Sequence, residues 1–121
     1  MIRIAIVEDD DAYRRQLVDF LKRYESESGE SFRLSLFSDG MEIVQDYRSE
    51  YDIILMDIEM RYMDGMTAAE RIRKLDMEVV IIFITNMSQY VMKGYTVDAM
   101  DFVLKPITYY AFSQRIDRAL Q

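Results

Sequence analysis

Four short apolar runs in this chain end on residues that can do chemistry. Glu8, Asp9 and Asp10 follow residues 2–7, Asp57 follows 53–56, Thr85 and Asn86 follow 79–84, and Lys105-Pro106 follows 101–104. The chain has no His and no Cys. That removes imidazole bases, Ser-His-Asp triads, His- or Cys-ligated zinc, thiolate nucleophiles and disulfides. What remains is carboxylate, hydroxyl, Lys and backbone chemistry. If the first and third runs are neighbouring strands, Glu8, Asp9 and Asp57 share one pocket. Three carboxylates in one cleft repel each other, and a cation is the usual relief. All-oxygen ligation selects a hard divalent ion, Mg²⁺ or Mn²⁺. With the Thr85 hydroxyl and the Lys105 charge beside it, such a set suits phosphoryl transfer, in which positioning and charge neutralisation do most of the work.

The elements that must position these residues are legible in the hydrophobic pattern. Residues 2–7 read as a buried strand, 32–37 as an alternating one, and 53–56, 79–84 and 101–104 as three more, with 79–84 the most central. Between them lie helices: about 10–27, with Leu17, Phe20, Leu21 and Tyr24 at helical spacing; 39 to about 47–49; 67–75; 87–95; and a last one marked by Phe112, Ile116, Ala119 and Leu120. Apolar strands alternating with helices call for a parallel sheet covered on both faces. Ligands then bind at the carboxyl ends of the strands, where the residues above fall. Ser38-Asp39, after the second strand, reads as ordinary helix-start chemistry. Asp64-Gly65 reads as a turn.

Length and composition fit one domain over 1–121: half the residues are hydrophobic and 31% are charged, enough for a single core. A net charge of −7 argues against unaided binding to nucleic acid, which needs a basic footprint. The longest apolar run is far short of a membrane span, and the acidic cluster at 8–11 falls where a signal peptide would continue its apolar core. A cytoplasmic protein with no membrane partner is expected.

Taken in order, Ile6-Val7-Glu8-Asp9-Asp10, Met56-Asp57-Ile58-Glu59-Met60, Asp64-Gly65, Phe83-Ile84-Thr85 and Asp101-Phe102-Val103-Leu104-Lys105-Pro106 resemble the receiver domains of bacterial two-component response regulators. The resemblance runs the full length. It implies a flavodoxin-like α/β fold, doubly wound, with five parallel strands in the order 2-1-3-4-5 and five helices. It makes Asp57 the phosphoacceptor, served by a sensor histidine kinase. Glu8 and Asp9 become the acidic pair for Mg²⁺, joined by Asp57 and the backbone carbonyl of Glu59. Thr85 and Lys105 contact the phosphoryl group, Thr85 and Phe102 form the switch, and the Lys105–Pro106 peptide is cis. Phosphorylation would then drive homodimerisation or release of an output domain. Enzymatic activity would be confined to the domain's own phosphorylation and dephosphorylation.

A finer likeness, in Thr85-Asn86-Met87-Ser88-Gln89-Tyr90, Gly94-Tyr95 and 97–102, is to the receivers of LytTR transcription regulators. It implies a piece of a longer protein that reaches DNA through a C-terminal LytTR domain, a freestanding receiver being the alternative. Departures are Arg61, where the family often has Pro, implying a more mobile loop, and Asn86, where a small residue is common. Glu59 and Met87 occupy positions that tune phosphoryl lifetime. The plainer readings are that Asp9-Asp10-Asp11 caps the first helix and that Phe102 is a core aromatic. Tyr90, Val91, Met92, Tyr95 and Val97 read as a docking or dimer face. The competing functions are a pseudo-receiver acting without phosphorylation and a Mg²⁺-dependent phosphatase, which would usually carry Asp where Glu59 stands.

Overall fold

The computed structural model describes residues 1–86 and 96–121. Its elements are β1 (Ile2–Val7), α1 (Asp11–Ser28), β2 (Phe32–Phe37), α2 (Gly40–Val44), β3 (Ile53–Met56), α3 (Gly65–Leu75), β4 (Val80–Thr85), β5 (Asp101–Leu104) and α4 (Tyr109–Ala119). The helix expected at 87–95 lies outside the described residues, so four of the five expected helices are seen.

The strands form one parallel sheet in the order β2-β1-β3-β4-β5. Side chains alternate across a strand, so each of the inner strands feeds two cores. Ala5, Val7, Ile54, Met56, Ile81 and Phe83 pack with Ile43 of α2 and Met66, Ala69 and Ile72 of α3. Ile4, Ile6, Ile53, Leu55, Ile82 and Ile84 pack with Leu17 and Leu21 of α1 and Phe112 and Ile116 of α4. This two-sided burial explains why β1, β3 and β4 are nearly unbroken apolar runs, whereas the edge strand β2 is only partly covered. No helix among the described residues is long and apolar enough to cross a membrane.

Helix ends follow side-chain chemistry. Asp10 caps α1 by accepting from the Ala12 and Tyr13 N–H groups, and Gly29, at φ +81°, closes it. Helix α2 stops at Val44, well before the expected 47–49, because Gln45 is extended and Asp46 and Ser49 adopt φ of +57° and +56°. The Tyr47 hydroxyl instead donates to Asp76, drawing the chain inward. Val97 is 1% exposed and belongs to the core beside Ala5 and Phe83, so it is no part of an exposed docking face. The rest of that expected face, Tyr90 to Tyr95, lies outside the described residues.

Candidate functional site

The register of the sheet brings the expected acids together. Val7 of β1 lies beside Met56 of β3, and the Asp57 N–H donates to the Val7 carbonyl at 3.0 Å. The next residue of each strand, Glu8 and Asp57, therefore emerges at the same sheet edge. Carboxylate oxygens of Glu8, Asp9 and Asp57 lie within 4.8 Å of one another. Glu8 and Asp57 are buried while Asp9 is exposed. Lys105 bridges the two buried acids: its Nζ donates to Glu8 Oε1 at 2.7 Å and to Asp57 Oδ2 at 3.1 Å. The other Asp57 oxygen accepts from the Ile58 N–H at 2.7 Å.

Electrostatics follows from that crowding. Burial pushes Glu8 up to about 7, with the Asp57 charge adding to the shift and the Lys105 hydrogen bond only partly opposing it. Burial pulls Lys105 down, but the hydrogen bond to Glu8 and the charge of Asp57 outweigh it and leave the amine above its ordinary value. One ammonium is thus divided between two carboxylates, with a third nearby. This oxygen-only set fits a hard divalent cation and leaves no N or S ligand to favour a softer one.

An open cleft of about 390 Å³ lies over these groups, lined by Glu8, Asp57, Lys105, Tyr13, Glu59 and Asn86 among others. Thr85 does not line it. The residue is fully buried at the end of β4, where its carbonyl accepts the Lys105 N–H at 2.9 Å. The exposed Asn86 stands at the cleft instead. Phe102 is half-buried on β5, its ring 5.0 Å from that of Phe83, also away from the cleft. The Lys105–Pro106 peptide is cis.

Three residues do more for the site than the sequence reading assigned them. Asp39 caps α2 through the Met41 N–H, as expected, but also accepts from the Tyr62 and Met63 N–H groups at 2.8 and 3.0 Å. It thereby ties down the loop that follows Asp57 and carries Arg61. Gly65 donates its N–H to the Ile58 carbonyl at 2.7 Å, an approach so close that a Cβ there would sit 2.0 Å from the Asp57 carbonyl oxygen. Tyr13 places its ring 4.1 Å from the Lys105 ammonium. Asp39 and Gly65 were read only as a helix start and a turn; the signal for Tyr13, which went unread, is an aromatic in the first turn of a helix that begins at the acidic cluster.

Residues 4–117 match the response regulator receiver domain. The chain belongs to that family. Among curated relatives, this receiver is 30% identical over 123 residues to the sensory transduction protein LytT of Bacillus subtilis, a match covering all of this chain and 47% of that protein. It is 28% identical to LytR of Streptococcus agalactiae, covering 95% of this chain and 45% of that one. The receiver thus spans about half the length of these relatives. Among solved structures, the non-phosphorylated HemR receiver domain of Leptospira biflexa superposes with a TM-score of 0.87 at 24% identity, covering 100% of this chain and 95% of that one. The response regulator TrrA of Thermotoga maritima, solved with Mg²⁺ and beryllofluoride, gives 0.83 at 26% identity and covers 98% and 99%.

Proposed function

We propose that this receiver takes a phosphoryl group from a phosphohistidine of a sensor histidine kinase onto Asp57. The observation that carries the reading is the Asp57 carboxylate at the mouth of β3, held by Lys105 and clustered with Glu8 and Asp9. An Asp57 oxygen attacks phosphorus, an acyl phosphate bond forms, and the P–N bond breaks with its electron pair returning to the imidazole. Lys105 stays with the new phosphoryl oxygens and offsets their charge. Glu8, Asp9, Asp57 and the Glu59 carbonyl would hold Mg²⁺, with Mn²⁺ a substitute. When bound, the ion neutralises acid and phosphoryl charge together. The TrrA receiver, solved with Mg²⁺ and beryllofluoride, supports that assignment.

Thr85 and Phe102 are the proposed switch. They sit on adjacent strands: Phe102 lies opposite Phe83, two residues before Thr85. Thr85 is buried in the described state, so its contact with a phosphoryl group requires the end of β4 to move, and half-buried Phe102 is placed to move with it. The change would favour a homodimer and, through a C-terminal LytTR domain beyond residues 1–121, regulate transcription in the cytoplasm. The LytT and LytR relatives, about twice this length, support that extension. The domain catalyses its own phosphorylation and dephosphorylation and turns over no external substrate.

The test is intact mass after incubation with acetyl phosphate and Mg²⁺, beside Asp57→Asn. One hydroxylamine-labile phosphoryl group is expected on the wild type, none on the variant and none without the metal. No adduct and no beryllofluoride binding would instead leave the phosphorylation-independent pseudo-receiver.

A further inference from the structure

We propose that Tyr13 is a positioning residue for Lys105, holding its ammonium over Glu8 and Asp57 through the face of the aromatic ring. This rests on the phosphoacceptor reading only for its consequence; the geometry stands by itself. Lys105 has three N–H donors on a flexible four-carbon stem. Two directions are taken by Glu8 at 2.7 Å and Asp57 at 3.1 Å. The Tyr13 ring, with its centroid 4.1 Å from Nζ, covers the ammonium and leaves the side chain 8% exposed. A cation at that distance from a ring face is attracted by the ring quadrupole, the more so where water is excluded.

The backbone that carries the ring is fixed from two sides. The Tyr13 N–H donates to the capping carboxylate of Asp10 at 3.1 Å, and the next residue, Arg14, donates to the Glu8 carbonyl at 2.7 Å. The first turn of α1 is therefore latched to the end of β1, the strand that carries Glu8. Tyr13 also lines a second groove of about 250 Å³ with Ala12, Gln16 and Pro106, so the residue borders both that groove and the acidic cleft. A carboxylate partner of Lys105 changes its charge when it is protonated, binds a cation or is phosphorylated. The ring does not. Among the described residues it is the contact of the ammonium that persists through such changes, and it keeps the lysine from swinging out to solvent.

The experiment compares Tyr13→Phe and Tyr13→Leu with the wild type. Phe keeps the ring face and loses only the hydroxyl, whereas Leu fills space without a π system. Two readouts are taken: the rate of labelling by acetyl phosphate with Mg²⁺, and the NMR shifts of the Lys105 ε-methylene protons in the unphosphorylated protein. Tyr13→Phe should match the wild type in both. Tyr13→Leu should be labelled roughly tenfold more slowly, and its Lys105 ε resonances should lose their upfield ring-current shift. Wild-type labelling of Tyr13→Leu, slow labelling of Tyr13→Phe, or unmoved Lys105 resonances in Tyr13→Leu would each overturn the proposal. If Tyr13→Leu does not fold, Tyr13→Met, apolar and unbranched, carries the same predictions. If even the wild type takes no phosphoryl group, the phosphoacceptor reading fails, and the NMR arm still decides whether Tyr13 holds Lys105.

Discussion

Replacing Gly65 by Ala tests how the loop that follows Asp57 is built. A Cβ at this position would lie 2.0 Å from the Asp57 carbonyl oxygen and 3.0 Å from Asp57 C and Ile58 Cα. All three are backbone atoms, so no side chain can swing aside. Restoring ordinary van der Waals contact at 3.4 Å requires the oxygen and the new methyl to separate by roughly 1.4 Å. The 2.7 Å hydrogen bond from Gly65 N–H to the Ile58 carbonyl opposes that separation. Overpacking of this kind costs about 1–3 kcal/mol, which for a domain of this size lowers Tm by roughly 5–15 °C. Because the moving peptide belongs to Asp57 itself, the carboxylate shifts with it, and a misplacement near 1 Å at a reacting group costs on the order of 100-fold in rate. Thermal melting by circular dichroism and the labelling rate with acetyl phosphate measure the two effects. Gly29→Ala is the control. It has no atom within 4 Å but a φ of +81°, so it should lower Tm through backbone strain alone, costing about 1–2 kcal/mol, and leave labelling intact. A Gly65→Ala protein that melts and labels like the wild type would refute the close-approach argument.

Two further outcomes follow from the same geometry. Asp39→Ala removes a helix cap and leaves the Tyr62 and Met63 N–H groups without their acceptor, which should cost about 2–4 kcal/mol in urea unfolding and speed amide exchange at 58–64; a loss below half a unit of that scale would show the loop to be held by something else. Glu8 binds its proton more tightly folded than unfolded, its value rising from 4.5 to about 7. The folded state then holds more protons across that window, so without divalent metal stability falls as pH rises from about 4.5 through about 7, by at most ~3 kcal/mol. Urea midpoints against pH should show the slope in the wild type and a flattened profile in Glu8→Gln. At pH 8, Mg²⁺ should raise the wild-type midpoint and EDTA should reverse it; a wild-type midpoint that climbs between pH 5 and 7 would contradict the assignment.

What could be read from the sequence was whatever is written locally. Strands buried on both faces show as runs such as Ile53-Ile54-Leu55-Met56, and a parallel sheet puts the next residue of each at one edge. That reasoning placed Glu8, Asp9, Asp57 and Lys105 together, and the structure brings them together. It failed where a residue's work is done across the fold. Asp39 serves amides 23 and 24 residues away, and no spacing rule reports that. Gly65 looked like half of a turn, since its need for hydrogen at Cα arises only where α3 meets the peptide of Asp57. Helix α2 ended early because Asp46 and Ser49 adopt left-handed conformations that their residue types permit but do not announce. Thr85 follows the rule for a strand end and yet is buried, and the rule cannot tell the last residue of β4 from the first residue beyond it.

The division of one lysine between two acids limits what the site can do at rest. Among the described residues the cleft is lined by five carboxylate residues, Glu8, Asp9, Asp10, Asp57 and Glu59, against the cations of Arg61 and Lys105. A phosphoryl group would add negative charge where carboxylates are already in excess, and Lys105 cannot offset it while still neutralising Glu8. Something must first relieve Glu8. A proton on Glu8 does so below about pH 7, and a divalent cation would do so above it, where the carboxylate is free to ligate. Either event leaves Lys105 to Asp57, but only the cation brings more positive charge than it displaces. On this argument the acid pair would be more than a ligand set: by engaging Lys105 it would keep the proposed phosphoacceptor, Asp57, short of counter-charge until a metal binds, and the proposed contact with Tyr13 would keep the freed ammonium from leaving.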